Sequence, residues 1–191
     1  MSAQTTYTKT AIRLHWILAI LIMALLAGGF LMGYIPDKSL KLKIMVLNMH
    51  KTIGLLILAL SLFRLYWRLT HKPPALPSEI TGLPKLISDT VHTFFYVFMI
   101  VMPLVGWAII STSRFPSKLF NAFPLPKLPV LSGIKGDERE SIHHLFEEAH
   151  EILAFIAIAL IVLHVAAAIK HHKSGNDILA RMIPSLRKDK E

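Results

Sequence analysis

Residues 150–164 read HEILAFIAIALIVLH, a stretch in which two histidines enclose apolar residues and one charge, Glu151. On an α-helix the 14-residue separation of His150 and His164 is a rise of about 21 Å, and it returns to within about 40° of the same face. The charge-free run continues to Ile169 and approaches the roughly 20 residues that cross a bilayer. One helix face would therefore present an imidazole near each membrane surface.

Three other stretches have a similar length and apolar character: residues 16–35, 44–63 and 90–113. The 191 residues are 53% hydrophobic with a mean hydropathy of +0.53, and 17% are charged, whereas a soluble protein has about 25%. Because backbone polar groups in lipid must be satisfied within each segment, the four stretches are predicted to be helices. We expect an all-α integral membrane four-helix bundle, one membrane domain over residues 1–191, with spans at approximately 12–35, 44–68, 88–111 and 149–170 and a basic C-terminal tail at 171–191.

The positive charge of the chain lies in predicted loops and tails. The net charge is +9, but no amphipathic helix face collects it, so we expect no nucleic-acid partner. With a cytoplasmic N-terminus, twelve of the 21 Lys and Arg residues would be cytoplasmic and nine would lie on the other side. This excess predicts that both termini are cytoplasmic. The chain has no cysteine, which excludes disulfides and iron–sulfur clusters.

Four of the ten histidines fall into two level-matched pairs. His15 begins the first span and His50 lies near the start of the second. Since these two helices run in opposite directions, His15 is level with His164, and His50 is level with His150. We call the first pair the inner level and the second pair the outer level, following the predicted orientation.

Facing imidazoles in a helix bundle are suited to a haem iron, which takes one axial ligand from each side. Zinc is disfavoured because it requires more protein ligands than one pair supplies. Two alternatives stay open at this point. The histidines could form a haem-free proton relay or transporter, or they could simply meet water and headgroups at the interfaces.

Lys170, His171 and His172 form a basic patch after the fourth span. One interpretation is a quinone or proton site close to the inner level. The other is a solvated helix end, whose cations complement the helix dipole and the negative inner leaflet.

The other basic side chains give weaker signals. His92 has no level-matched partner left. His143 and His144 are expected to face water in the outer loop. Arg64 and Arg68 are equally suited to pairing with haem propionates and to anchoring the cytoplasmic side of the membrane.

The chain resembles the bacterial cytochrome b561 family of small four-helix dihaem membrane proteins. The resemblance is carried by RLHWILA (13–19), NMHKTIGLLILALSLFRLYWRL (48–69), MPLVGWAIIS (102–111) and EAHEILAFIAIALIVLHVAAAIKHH (148–172). It implies two b-type haems in the bacterial inner (cytoplasmic) membrane. The axial ligands that it implies are His15, His50, His150 and His164.

The resemblance also implies a function, electron transfer across the membrane between the quinone pool and a periplasmic redox partner, with ubiquinone at the inner level. Some relatives instead oxidise superoxide and pass the electron to ubiquinone, which would make the protein an oxidoreductase. Lysines near the outer site could attract such an anion, and nearby glutamates weaken that argument. Composition and spacing alone leave the electron donor and acceptor open.

Overall fold

The computed structural model describes residues 6–74, 81–175 and 178–186. Five α-helices lie in these ranges, four long and one short: α1 Lys9–Met32, α2 Leu40–Thr70, α3 Gly82–Thr112, α4 Pro129–Ser132 and α5 Gly136–Lys173. A two-stranded antiparallel hairpin, β1 Lys118–Leu119 and β2 Phe123–Pro124, lies between α3 and α4. Short 3₁₀ turns occupy Asp37–Ser39, Leu179–Arg181 and Pro184–Leu186.

The predicted all-α membrane bundle is confirmed. Helices α1, α2, α3 and α5 are each long and apolar enough to cross a membrane. Most of their apolar side chains face outward, and the buried core is a small cluster of Leu18, Ile57 and Met99 with partly buried neighbours. An apolar surface this large would be unusual on a soluble monomer. It is the surface that lipid tails solvate.

Helix α5 is longer than its membrane-spanning part. The sequence predicted a span at about 149–170, and the structure has a single helix of 38 residues from Gly136 to Lys173. Neither proline nor glycine follows Gly136 within the helix, so nothing in that segment favours a break. The polar N-terminal turns of α5 are therefore a direct extension of the fourth span.

The helices pack in the order α1, α2, α3, α5, and each pair of neighbours makes extensive contact. Between α1 and α5, by contrast, direct backbone packing is sparse in the described residues. An apolar cleft of about 260 Å³ opens there. Its lining residues are Met23, Leu26, Ala27, Phe30, Ile158, Ile161 and Val162. The helix that carries His150 and His164 thus stands apart from the helices that carry their partners.

Candidate functional site

The structure brings the four sequence-predicted histidines together in two pairs. The ring centroids of His15 and His164 are 6.3 Å apart, and those of His50 and His150 are 6.2 Å apart. All four rings lie inside the bundle and are at most partly exposed. Helix α5 contributes one ring to each pair, while α1 and α2 contribute the others.

The separation of the rings suits a metal ion between them. A bond from an imidazole nitrogen to a first-row metal is about 2 Å long. Two such bonds in line, with half an imidazole ring at each end, place the ring centroids about 6 Å apart. Both pairs meet this spacing. No cluster of three or more His, Asp or Glu side chains suited to a bare metal ion is found in the described ranges.

Glycines keep space open beside the outer pair. A Cβ atom at Gly106 of α3 would lie 3.3 Å from Cε1 of His150, and one at Gly29 of α1 would lie 3.7 Å from Cε1 of His50. A Cβ atom at Gly54, one turn after His50, would meet nothing within 4 Å. A flat macrocycle needs clearance of this kind beside its axial ligands.

One ring nitrogen of each histidine in the outer pair lacks a hydrogen-bond partner in the described residues. The Nδ1 atoms of His50 and His150 are buried and have no hydrogen-bond partner in the described residues, although the Met102 backbone lies close to His150. Buried polar atoms usually have a partner, so unpaired ones call for an explanation. Imidazoles that are not tied up by such bonds are available to a bound group, and the donor set fits a haem.

The β1–β2 hairpin docks on the α2 segment that carries His50. Asn48 Nδ2 donates to Asn121 Oδ1 (3.0 Å), and Thr52 Oγ1 accepts from the backbone N–H of Phe120 (2.9 Å). The ammonium of Lys51 donates to the Ser117 hydroxyl at 2.7 Å. These contacts hold the α2 segment on both sides of His50.

His143 does not face water as the sequence suggested. Its Nδ1 atom is 2.9 Å from the Thr112 hydroxyl, and its Nε2 atom is 3.3 Å from a Glu147 carboxylate oxygen. The side chain is only 23% exposed, whereas that of His144 is 65% exposed. The expectation failed for His143 because α5 extends unbroken beside the end of α3 and brings this ring against Thr112.

Arg64 lies directly on the inner pair. Its Nη1 and Nη2 atoms are 3.3 Å and 3.2 Å from Nδ1 of His15. Its Nε atom donates to the Tyr96 hydroxyl at 3.5 Å, and the guanidinium lies 5.7 Å from the centre of the Tyr96 ring. Arg68, one turn later on α2, is exposed. The structure therefore separates two arginines that the sequence could not distinguish.

His92 joins the inner level, although the sequence offered it no partner. Its ring centroid is 5.7 Å from that of His164. Its Nδ1 atom donates to the Ser88 carbonyl at 2.7 Å, so the Nε2 lone pair is free in the neutral ring. The inner level is thus a group of three imidazoles and one guanidinium.

The basic patch after the fourth span forms the last turn of α5. Lys170 is exposed, while His171 and His172 are partly buried. The Nδ1 atom of His172 is buried and has no hydrogen-bond partner in the described residues. The patch lies on the same end of the bundle as His164.

Residues near both ends of the described chain form hydrogen bonds at the inner end of the bundle. The indole N–H of Trp16 donates to the Met182 carbonyl at 2.9 Å, and that of Trp67 donates to the Thr8 hydroxyl at 2.9 Å. These bonds tie α1, α2 and the segment 178–186 together beside Arg64.

Comparison with known proteins places the chain among membrane cytochromes. The family model described as prokaryotic cytochrome b561 matches residues 6–185. Two Escherichia coli (strain K12) proteins are similar over most of their length. Cytochrome b561 homolog 2 is 25% identical over 173 residues (88% of this chain, 86% of the relative), and homolog 1 is 26% identical over 179 residues (93% and 97%). The probable superoxide oxidase CybB of Yersinia pestis is 25% identical over 182 residues, covering 95% of this chain and 97% of the relative.

Proposed function

The chain belongs to the prokaryotic cytochrome b561 family, which implies binding of haem b, and on that premise we propose that it is a dihaem electron carrier of the bacterial inner membrane. Electron transfer by a membrane cytochrome is the function that the family supports. The proposal adds the number of haems, their ligands and the partners.

The ligands in this proposal are His15 with His164 for the inner haem and His50 with His150 for the outer haem. When bound, haem iron supplies reversible one-electron chemistry between its ferric and ferrous forms. The protein holds the imidazoles, keeps water and other ligands away and sets the charge around each pair. An iron held by two histidines offers no open position, so substrates would exchange electrons without binding to it.

One observation carries the proposal. Two imidazole pairs have almost the same ring separation, 6.3 Å and 6.2 Å, and they lie at opposite ends of one helix face. A haem-free proton relay has no need of such pairs. An interfacial role for the histidines gives no reason for unpaired, buried ring nitrogens.

The proposed partners follow from the two ends of the bundle. With both termini cytoplasmic, ubiquinone would exchange electrons at the inner level, where Lys170, His171 and His172 offer donors to a quinone oxygen. The unpaired Nδ1 atom of His172 favours this interpretation. A periplasmic redox protein would exchange electrons with the outer level.

A second candidate function is superoxide:ubiquinone oxidoreduction, which the name of the Yersinia pestis relative suggests. Lys38 precedes α2, and Lys41, Lys43 and Lys51 lie in its first half. In the proposed orientation these lysines are on the outer side and could attract an anion. Glu147, Glu148 and Glu151 on the facing helix oppose this field. The carrier function does not require the outer surface to attract an anion, and it is the one that we favour.

The test is a reduced-minus-oxidised visible spectrum with haem counted per chain, on the wild type and on His164→Ala. We expect two b-type haems in the wild type and one low-spin haem fewer in the variant. His144→Ala is the matched control, since its exposed ring should leave both haems unchanged. A wild-type protein that binds no haem when it is offered in excess would overturn the proposal. Rapid mixing with superoxide separates the two functions, because only the oxidoreductase would reduce its haems within the mixing time.

A further inference from the structure

We propose that Arg64 binds a carboxylate of the inner haem and that its charge raises the reduction potential of that haem relative to the outer one. The inference rests on the proposed function, since it requires haem at both levels. It concerns a side chain whose partner in the structure is a histidine ring, and it follows from three observations.

The first observation is the placement of Arg64 on α2. It follows His50 by 14 residues, the same spacing that separates His150 from His164 on α5. Ile57 and Ser61, both buried, lie on the same helix face between them. One face of α2 therefore presents an imidazole to the outer level and a guanidinium to the inner level.

The second observation is that no carboxylate pairs with Arg64 in the part of the chain that the structure describes. The charged or chargeable neighbours of His15 are Arg64, His164 and His92, all of them basic. The acid close to His92 is Asp89, whose carboxylate is held by Lys85 at 2.7 Å. Within the described ranges no carboxylate lies at ion-pair distance from Arg64. A cation inside a membrane protein is costly without an anion, and haem b carries two carboxylates of its own.

The third observation concerns the proton on His15. A guanidinium only donates hydrogen bonds, so Nδ1 of His15 accepts from Arg64 and carries no proton. The proton of the neutral ring is then on Nε2, which cannot bind iron. A histidine that binds a metal normally donates its other N–H to an acceptor. Ligation of iron through Nε2 of His15 therefore requires the guanidinium to leave Nδ1 and take another acceptor.

These observations together identify the acceptor. Tyr96 is neutral and is already in contact with Arg64, so it cannot balance the charge. A propionate of the haem would be the one anion brought to this level. A fixed positive charge beside the iron favours the form with less positive charge, which is the ferrous form. The inner haem should therefore be easier to reduce than it would be without Arg64.

The experiment is a spectroscopic redox titration of the haem-loaded protein, comparing wild type, Arg64→Gln, Arg64→Lys and Arg68→Gln. We expect Arg64→Gln to shift the reduction equilibrium of the inner haem about tenfold towards the ferric form, which is about 59 mV for a one-electron couple. The outer haem serves as an internal reference and should shift much less. Arg64→Lys should keep most of the wild-type potential. Arg68→Gln, one turn away and exposed, should shift the inner haem much less than Arg64→Gln does.

A second arm separates action on the propionate from action on His15. Wild type and Arg64→Gln are reconstituted with the dimethyl ester of haem b, in which both carboxylates are neutral. If Arg64 binds a propionate, its loss should weaken retention of haem b at the inner level, and it should not weaken retention of the ester, which offers the guanidinium no anion. Equal relative retention of haem b and of the ester in Arg64→Gln, or no shift in potential with haem b, would overturn the inference. If Arg64→Gln retains no inner haem, Arg64→Lys is compared with wild type instead, again with haem b and with its dimethyl ester.

The inference and the proposed function fail differently. A wild-type chain that binds no haem contradicts the proposed function before any variant is titrated. Two haems in the wild type with an unchanged inner potential in Arg64→Gln contradict the inference alone.

Discussion

The two ends of the bundle hold the same pair of side chains in opposite surroundings. At the outer level, the pair lies among glycines, and a docked hairpin satisfies the polar groups on both sides of His50. At the inner level, a guanidinium lies on one ring and a third histidine contacts the other. The ring separations differ by only 0.1 Å. If two haems bind as proposed, their axial ligands would be equivalent, and any difference between them would come from the charges and hydrogen bonds around each pair.

This difference gives each level its own role. At the outer level, short-range polar contacts hold the helix around His50, and the ammonium of Lys51 is bonded to Ser117. The inner level has an excess of positive charge that a bound anion would neutralise. Two haems of one chemical type would then have different potentials, which is the condition for a preferred direction of electron flow across the membrane.

We expect the largest effect when one proposed ligand is removed at each level, because the two levels should then lose haem to different extents. We expect His50→Ala to lose the outer haem completely, because among the described residues no second imidazole lies against His150 as a substitute. His15→Ala should retain part of its inner haem, since His92 lies 5.7 Å from His164 and its Nδ1 proton is fixed by the Ser88 carbonyl, leaving Nε2 free. Haem per chain and the low-spin signal of each haem are the measurements.

A double variant completes that test. His15→Ala combined with His92→Ala should empty the inner level, while His92→Ala alone should keep both haems. Equal loss in the His15→Ala and His50→Ala single variants would show that His92 cannot act as a ligand and that the two levels are equally dependent on their pairs.

A smaller effect should follow from filling the space beside His150. Gly106→Ala would place a Cβ atom 3.3 Å from Cε1 of His150, close enough that the ring must shift by a few tenths of an ångström. We expect a changed spectrum and weaker binding of the outer haem, with the inner haem unaffected. Alanine in place of glycine inside a helix adds about 1 kcal/mol of helix stability, so a loss of haem could not be attributed to unfolding. Gly28→Ala, where the new atom meets nothing within 4 Å, is the control and should leave both spectra unchanged.

The fold could be predicted from the sequence because the bilayer imposes it. Four apolar stretches of sufficient length permit only four helices. The histidine levels also follow from helix rise and alternating direction, which are independent of how the helices rotate. The boundaries of α5 were harder to predict, because hydropathy indicates where the membrane ends and not where the helix ends.

The surroundings of the pairs could not be predicted in the same way. Whether His92 points at His164 depends on the rotation of α3 about its axis, which weak amphipathicity leaves undetermined in lipid. The contact of His143 with Thr112 depends on the extension of α5 beside α3. The 14-residue spacing of Arg64 from His50 was a signal for its place at the inner level. Arg68, however, was equally suited to anchoring the cytoplasmic side of the membrane, so the sequence did not distinguish the two arginines. The hairpin strands are two residues each, too short for any periodicity.

The smallest expected effect tests whether the hairpin is what makes the outer level rigid. Thr52 is 3% exposed, and its Oγ1 atom accepts from the Phe120 N–H while donating to the Asn48 carbonyl. Thr52→Val keeps the shape but leaves that N–H without an acceptor, at a cost of about 1–3 kcal/mol. Phe120 and Asn121 have φ of 51° and 59°, a conformation that non-glycine residues keep only when their surroundings enforce it. Losing the bond should therefore open the turn.

Hydrogen exchange across residues 117–123 is the direct measurement of this opening, and we expect faster exchange there in Thr52→Val than in the wild type. Thr93→Val is the matched control, because Thr93 makes the same type of bond to the carbonyl four residues earlier, at 2.9 Å, on an exposed face. The potential of the outer haem should shift slightly while that of the inner haem stays constant. Faster exchange without any change at the outer haem would mean that α2 holds His50 by itself, and that the contrast between the two levels depends on the charge of Arg64 alone.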